Sequence, residues 1–138
     1  MPERVSIFVE SAPSAFGHFS QVVKYGNALH ISGQLPLDPA TNRLVSDDPA
    51  EQARSILTHL TAIVQACAGQ LSNVMSTRLY LVDLRDHKAF DTVSKDFFFF
   101  IPPARTVIPV ASLPFGARMM IEAVAELPIL EKKTGSLL

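Results

Sequence analysis

The 138-residue sequence lacks several features that would point to particular protein classes. It has no tryptophan, and its single cysteine excludes an intrachain disulfide. No apolar run reaches the ~18 residues of a transmembrane helix, and the six glycines are scattered and form no phosphate-binding loop. The basic residues form no block, and the formal net charge is −1. We therefore expect a compact domain that binds neither membranes nor nucleic acid.

The composition that remains fits one compact unit. Apolar residues make up 48% of the chain and charged residues 18%, a balance typical of globular domains. We predict a single domain over residues 1–130 and a polar tail at 131–138. The first ten residues lack the apolar segment of a signal peptide, which favours a cytoplasmic protein. The apolar fraction is high for a lone small domain, and this indicates that other subunits cover part of its surface.

Periodicity and turn residues predict the element order ββαβαββ. Strands at 21–25 and 29–34 are joined by a Gly26–Asn27 turn. A long helix begins at Pro49, with Asp48 as its cap, and ends near Ala68, before Gly69. The other predicted elements are a strand at 74–84, a helix at 87–98 capped by Asp86, a strand at 105–111 in which Pro109 marks either a sheet edge or a bulge, and a strand at 118–127.

This order favours an α+β fold in which two helices pack on one face of a mixed β-sheet. We assign apolar strand residues to the opposite face, which the helices leave uncovered. These residues are Met75, Leu79, Val110, Met120 and Val124. Because such a face would not stay exposed to water, we expect the chain to associate with copies of itself.

Arg105 is the strongest candidate for a functional residue. It follows Pro102 and Pro103 and opens an apolar strand. A guanidinium keeps its charge and presents a rigid set of donors, so it requires a carboxylate or phosphate partner. The residue types leave two partners open, which are a ligand and an internal carboxylate such as that of Glu122.

Six motifs, in their order and spacing, resemble the YjgF/RidA family of enamine/imine deaminases. The resemblance extends from about Gly17 to Leu127. The motifs are Gly17–Gln21 (GHFSQ), Ile31–Pro36 (ISGQLP), Gln52–Arg54 (QAR), Tyr80–Leu84 (YLVDL), Pro103–Val107 (PARTV) and Ile121–Ala125 (IEAVA).

The resemblance implies a chorismate-mutase-like fold and a homotrimer whose sheets form a central barrel, with ligand sites in the clefts between subunits. It implies a hydrolase acting on C=N, of the 2-iminobutanoate/2-iminopropanoate deaminase type, which releases ammonia and a 2-keto acid. Such an enzyme disposes of reactive intermediates released by pyridoxal-phosphate enzymes, a form of metabolite damage control. The reaction requires no cofactor and no metal.

The resemblance also assigns roles to individual residues. Arg105 would hold the carboxylate of a 2-imino acid, while Glu122, Ser32 and Gly33 would surround the reacting end. Glu122 is then either the base that activates water or a simple ion-pair partner of Arg105 or Arg118. Ser32 and Gly33 either contact the substrate or only end a strand.

Three positions depart from the pattern of the family. Phe19 stands where many members have tyrosine, Val107 where many have cysteine, and Asp91 where asparagine is common. We keep all three as substrate-binding candidates. A more apolar pocket favours a larger or specialised ligand, and it supports the alternative of a non-catalytic trimer that binds or senses carboxylates.

The histidines and the cysteine give weaker signals. His18, His30, His59 and His87 show no metal-ligand spacing. We expect His59 to face solvent on the long helix and His18 to lie at the rim of a pocket. Cys67 falls on the apolar face of that helix, which indicates a buried small hydrophobe.

Overall fold

The computed structural model describes residues 2–99 and 101–129. The predicted tail at 131–138 lies outside the described residues. The main elements, in chain order, are β1 (Arg4–Ile7), β2 (Val22–Tyr25), β3 (Ala28–Gln34), α1 (Pro49–Ala66), β4 (Val74–Leu81), α2 (His87–Ser94), β5 (Ala104–Pro109) and β6 (Met119–Glu126). The predicted α+β class, with a mixed sheet and two helices, is confirmed, but the predicted order missed β1.

The six strands form one sheet in the order β1-β2-β3-β6-β4-β5. All neighbouring pairs are antiparallel except β4 and β5, which are parallel. β1 was missed because it has only four residues, most of them exposed, and its alternation of polar and apolar residues is too short to indicate a strand. The predicted hairpin of β2 and β3 is confirmed, and Pro109 ends β5 at the sheet edge, as its missing N–H requires.

Helix α1 begins as predicted and ends differently. The side chain of Asp48 accepts a hydrogen bond from the backbone N–H of Glu51, and Pro49 occupies the first turn. At the other end Ala68, and not Gly69, adopts the left-handed conformation, with φ of 65°. The Gly69 N–H closes the turn on the Val64 carbonyl at 2.7 Å. Gly69 is needed for space, because a Cβ there would lie 2.6 Å from Leu127 Cδ2.

The hydrophobic core lies between the two helices and one face of the sheet. Residues of α1 and α2 pack there against alternate residues of β3, β4 and β6. The fully buried large side chains include Leu29, Ile56, Leu57, Leu60, Ile63, Leu79, Leu81, Phe90, Met119 and Ile121. Leu79 was assigned to the uncovered face, and this was wrong.

Helix α2 is shorter than predicted, since it ends at Ser94 and not at 98. Asp86 precedes the helix but makes no side-chain cap hydrogen bond. Its buried carboxylate instead accepts a hydrogen bond from Arg118 Nε at 2.9 Å. This ion pair ties the start of α2 to the start of β6, and it orients the side chains that α2 presents to the sheet.

The second face of the sheet carries no helix, and polar residues occupy its centre. Met120 and Val124 lie there and are partly buried. Between them, Glu122 is paired with Arg78 of the neighbouring strand. Met75 is half exposed because the register of β4 and β6 shifts between Val74 and Ser76. We call this surface the open face.

The described ranges contain no helix that is both long and apolar enough to cross a bilayer.

Candidate functional site

Arg105 projects toward helix α2. In the parallel ladder of β4 and β5 it lies opposite Thr77, whose buried side chain is on the helix-covered face. Paired residues point to the same side of a sheet, so the guanidinium of Arg105 enters the space between β5 and α2.

Helix α2 meets this guanidinium with side chains from a single helical face. Arg105 Nη1 donates to Asp91 Oδ1 at 2.9 Å and lies 3.3 Å from His87 Nε2. Its Nη2 donates to Ser94 Oγ at 3.3 Å, and its Cζ lies 5.0 Å from the ring centroid of Phe90. The four α2 positions are spaced i, i+3, i+4 and i+7, which places them on one side of the helix. We call this set the Arg105 cluster.

The internal partner of Arg105 is therefore Asp91, and the suggested pairing with Glu122 is wrong. The Arg105 side chain is 22% exposed and that of Asp91 46%. The hydrogen bond from Arg105 lowers the pKa of Asp91, so its carboxyl group is ionised at neutral pH.

Glu122 lies on the open face and is also held by two residues. Its Oε2 is 3.3 Å from Arg78 Nη1, and its Oε1 accepts a hydrogen bond from the Tyr80 hydroxyl. That hydrogen bond raises the pKa of Tyr80. The ion-pair partner predicted for Glu122 was Arg105 or Arg118, and the structure shows Arg78 instead.

Ser32 and Gly33 lie where the pairing of β3 with β6 becomes irregular, between Ile31 and Gln34. The Ser32 hydroxyl donates to the Ser20 carbonyl at 2.7 Å and so holds the preceding loop in place. A Cβ on Gly33 would lie 2.6 Å from the sulfur of Met120. The close approach of Met120 is therefore a structural reason for glycine at this position.

Phe19 and the Ser32–Gly33 segment line a common narrow cleft, whose cavity volume of about 20 Å³ has room for about one water molecule. The Phe19 ring is exposed and makes an edge-to-face contact with Phe16 at 5.3 Å. Buried Gln34 also lines the cleft, and its Oε1 has no hydrogen-bond partner among the described residues. His18 is exposed beside this cleft.

The predicted site residues thus form three groups within one chain. Arg105, Asp91 and Val107 lie on the helix-covered side of the sheet edge, with Val107 packed against the core. Glu122 is two strands away from β5 and points to the opposite face. The Ser32–Gly33 segment is three strands away, or ~14 Å at the usual strand spacing.

Sequence reasoning missed several residues that contact these groups, among them Arg78, the ion-pair partner of Glu122. His87 and Ser94 hold Arg105, Tyr80 holds Glu122, and Gln34 lines the cleft. The i, i+4, i+7 spacing of His87, Asp91 and Ser94 was the one signal available for His87 and Ser94. The others depend on strand register, which the sequence pattern alone does not give.

The remaining candidates behave as structural residues. His59 is buried, with Nε2 2.8 Å from the Leu37 carbonyl, so the expectation that it faces solvent was wrong. Burial lowers the pKa of His59 and raises that of the half-buried Cys67. Within the described ranges, no group of three or more histidine, cysteine or acidic side chains is arranged to hold a metal ion.

Comparison with known proteins places these groups in a wider context. A family model described as Endoribonuclease L-PSP matches residues 9–127. A 2-iminobutanoate/2-iminopropanoate deaminase of Bos taurus is 38% identical over 122 residues, covering 88% of this chain and 89% of that protein. A RutC family protein of Pyrococcus horikoshii is 38% identical over 119 residues, covering 86% and 94%.

Solved structures give the same picture. The crystal structure of RidA from an Antarctic Psychrobacter superposes with a TM-score of 0.86 at 35% identity, covering 90% of this chain and 100% of that chain. The YjgF gene product of E. coli gives a TM-score of 0.84 at 34% identity, covering 88% and 98%.

Proposed function

The chain belongs to the Endoribonuclease L-PSP family, also called YjgF/RidA, and from this premise we propose that it is a hydrolytic deaminase of 2-imino acids and their enamine tautomers. The products are ammonia and a 2-keto acid. Two kinds of observation support the proposal. Relatives at 38% to 39% identity are named 2-iminobutanoate/2-iminopropanoate deaminases, and the guanidinium of Arg105 is held in place by its neighbours.

The state of Arg105 is the observation that carries the proposal. Its guanidinium is only 22% exposed and is fixed by Asp91, Ser94 and the ring of Phe90. Its contacts engage Nη1 and Nη2, and Nε has no partner among the described residues. An oriented guanidinium with donors in reserve is suited to binding a ligand carboxylate.

We place the active site between two copies of the chain, because the three groups of site residues are separated within one. The open face of one subunit would bring Glu122 and the Ser32–Gly33 cleft to Arg105 of its neighbour. This arrangement corresponds to a homotrimer whose sheets form a central barrel. It also covers the apolar residues Met120 and Val124.

The trimer has a direct test. Sedimentation equilibrium should give a mass of about 45 kDa, three times the 15.1 kDa of one chain. A mass equal to one chain at micromolar concentration would contradict the proposed site.

The chemistry requires a water molecule and one group that moves a proton. Water adds to the imine carbon and forms a C–O bond, while Glu122 takes a proton from that water. Glu122 returns that proton to the nitrogen, and as the C–N bond breaks it accepts the proton of the new hydroxyl, so that ammonia leaves and the carbonyl forms. Arg105 holds the substrate throughout, and such positioning contributes several kcal/mol to a reaction of this kind. No metal or cofactor enters this scheme.

An assay with an imine made in place tests the activity. An amino-acid oxidase acting on 2-aminobutyrate supplies 2-iminobutanoate, whose decay is followed by absorbance. We expect the decay rate to rise in proportion to added protein. A decay rate unchanged by the wild-type protein, for every 2-imino acid supplied, would rule the proposal out.

The second candidate function is a non-catalytic trimer that binds carboxylates. Phe19 lacks a phenolic hydroxyl and Val107 lacks a thiol, which favours this alternative. Calorimetry separates the two functions. Binding of 2-ketobutanoate without any acceleration of imine decay would support the binding protein.

The word endoribonuclease in the family description suggests RNA as a third partner. The chain carries a formal charge of −1 and no basic block, so we expect no salt-dependent RNA binding near neutral pH. A steep fall of RNA affinity with increasing salt would contradict this expectation.

A further inference from the structure

The side chain beside Arg105 carries a full negative charge and is itself accessible. Asp91 is 46% exposed and uses Oδ1 to accept from Arg105 at 2.9 Å. Its Oδ2 has no hydrogen-bond partner among the described residues. The site therefore presents a positive and a negative group next to each other, and each keeps a free hydrogen-bonding position.

Neighbouring residues fix this pair by hydrogen bonds and packing. Ser94 Oγ donates to the Asp91 backbone carbonyl at 3.1 Å, and the same oxygen accepts from Arg105 Nη2. His87 Nε2 lies 3.3 Å from Arg105 Nη1. Phe90 forms the floor under the guanidinium. Asp91 is thus the residue that sets the local charge balance around Arg105.

We propose that Asp91 determines ligand specificity by contacting a positively charged nitrogen on the carbon next to the carboxylate that Arg105 holds. This inference rests on the proposed function. The ligand class is the protonated 2-imino acid, in which the carboxylate and the iminium nitrogen are attached to the same carbon. An α-amino acid is a stable molecule with the same two charges in the same places.

The charge balance explains why such a ligand is preferred over a plain carboxylate. A 2-keto acid would bring one negative charge to an arginine that Asp91 already neutralises, and it would lie close to the Asp91 carboxylate. Like charges placed together at a binding site are unfavourable. A ligand with a cationic nitrogen replaces this repulsion by an attraction.

The same arrangement of charges around Arg105 and Asp91 favours turnover of the substrate. The protonated imine is the form that water attacks, and Asp91 stabilises its positive charge. Hydrolysis removes that charge with the departing nitrogen, so the product left at Arg105 is a 2-keto acid that Asp91 repels. Asp91 therefore favours binding of the substrate and release of the product.

Calorimetric titration of the intact protein near pH 7.5 tests the inference. The ligands are 2-aminobutyrate and 2-ketobutyrate, which differ in the charge next to the carboxylate. The wild type should bind 2-aminobutyrate about tenfold more tightly. Asp91→Asn keeps the shape and an acceptor for Arg105, and it should reverse the preference by strengthening the keto acid and weakening the amino acid.

Asp96→Asn is the matched control. Asp96 is an exposed carboxylate two residues beyond Ser94, and its partner is Arg54 at 3.2 Å. Its loss changes the net charge by the same amount without touching Arg105. The preference of this variant should equal that of the wild type.

The outcomes separate the inference from the proposed function. Loss of binding of both ligands in Arg105→Ala, together with a change of both affinities by the same factor in Asp91→Asn, would support carboxylate binding by Arg105. That result would also show that Asp91 does not determine specificity. If Arg105→Ala binds both ligands as the wild type does, Arg105 does not hold the carboxylate and the proposed function is wrong.

Discussion

Two clusters in this molecule use the same three residue types in different surroundings. In the Arg105 cluster, the guanidinium is 2.9 Å from Asp91 and 5.0 Å from the Phe90 ring centroid. In a second cluster, Arg54 is 3.2 Å from Asp96 and 5.9 Å from the Phe97 ring centroid. The first arginine is 22% exposed and the second 56%.

The difference shows that residue types alone do not make a binding site and that their surroundings matter as well. Both side chains of the Arg54 cluster are more than half exposed, so water competes for every contact and the pair contributes little to stability. Arg105 lies between β5, α2 and a buried ring, where its position is fixed and its interaction with an added charge is less screened. Only the surroundings of Arg105 provide an oriented donor for a ligand.

The largest expected effect comes from removing each arginine in turn. Arg105→Ala should lower kcat/KM for imine hydrolysis by about 10²- to 10³-fold, because the substrate loses its charged anchor. Arg54→Ala should leave kcat/KM within about twofold of the wild type. The measurement is imine decay at several substrate concentrations, on variants shown to keep the wild-type mass. Equal losses in the two variants would remove the distinction between the clusters.

Glu122 and Arg78 form a third arginine–carboxylate pair, which lies on the open face. If Glu122 is the base, Glu122→Gln should lower kcat by about 10²-fold, with little change in the binding of 2-ketobutyrate. Tyr80→Phe removes a hydrogen bond to Glu122 but keeps the carboxylate, so its effect on kcat should be smaller. A Glu122→Gln variant within about threefold of wild-type kcat would show that Glu122 only braces its neighbours.

The aromatic rings beneath the two guanidinium groups allow the two clusters to be compared by their contributions to the free energy of unfolding. Phe90 is fully buried, whereas Phe97 is only partly buried against the core. Phe90→Leu should lower the free energy of unfolding by about 1 to 1.5 kcal/mol, since it removes buried aromatic volume and the contact with Arg105. Phe97→Leu should cost about half as much. Urea denaturation followed by circular dichroism measures both, and the reverse order would contradict the burial argument.

The smallest expected effect is on the pH dependence of stability. The hydrogen bond from Arg105 places the folded-state pKa of Asp91 below its unfolded value. The pair therefore stabilises the fold above the unfolded pKa of about 3.9, and this contribution disappears as pH falls through the folded-state pKa. Because Asp91 is 46% exposed, we expect less than about 0.5 kcal/mol.

Acid titration of unfolding free energies in wild type and Asp91→Asn measures this contribution. The two curves should differ most above pH 4 and converge in stronger acid. Curves that stay parallel down to pH 2 would show that the Arg105–Asp91 pair contributes no proton-linked stability.

Much of the fold could be predicted because its signals are local. The Asp48 cap, Pro49 and the apolar spacing of α1 lie within one helix, and the Gly26–Asn27 turn lies within one hairpin. The predictions failed where a distant contact decides. Asp86 does not cap α2, because its carboxylate pairs with Arg118, which is distant in the sequence. Leu79 lies in the core and not on the open face, because the packing of the sheet against the helices decides its side.

The sequence by itself determined the family, the order of most elements and the importance of Arg105, because these depend on residue types and short spacings. Only the tertiary structure decided that Asp91 is the partner of Arg105, that Glu122 points to the opposite face, and that Met120 requires Gly33. The physical reason is that a side chain's partner depends on strand register and on where a helix crosses the sheet. Both are fixed by the packing of the whole core.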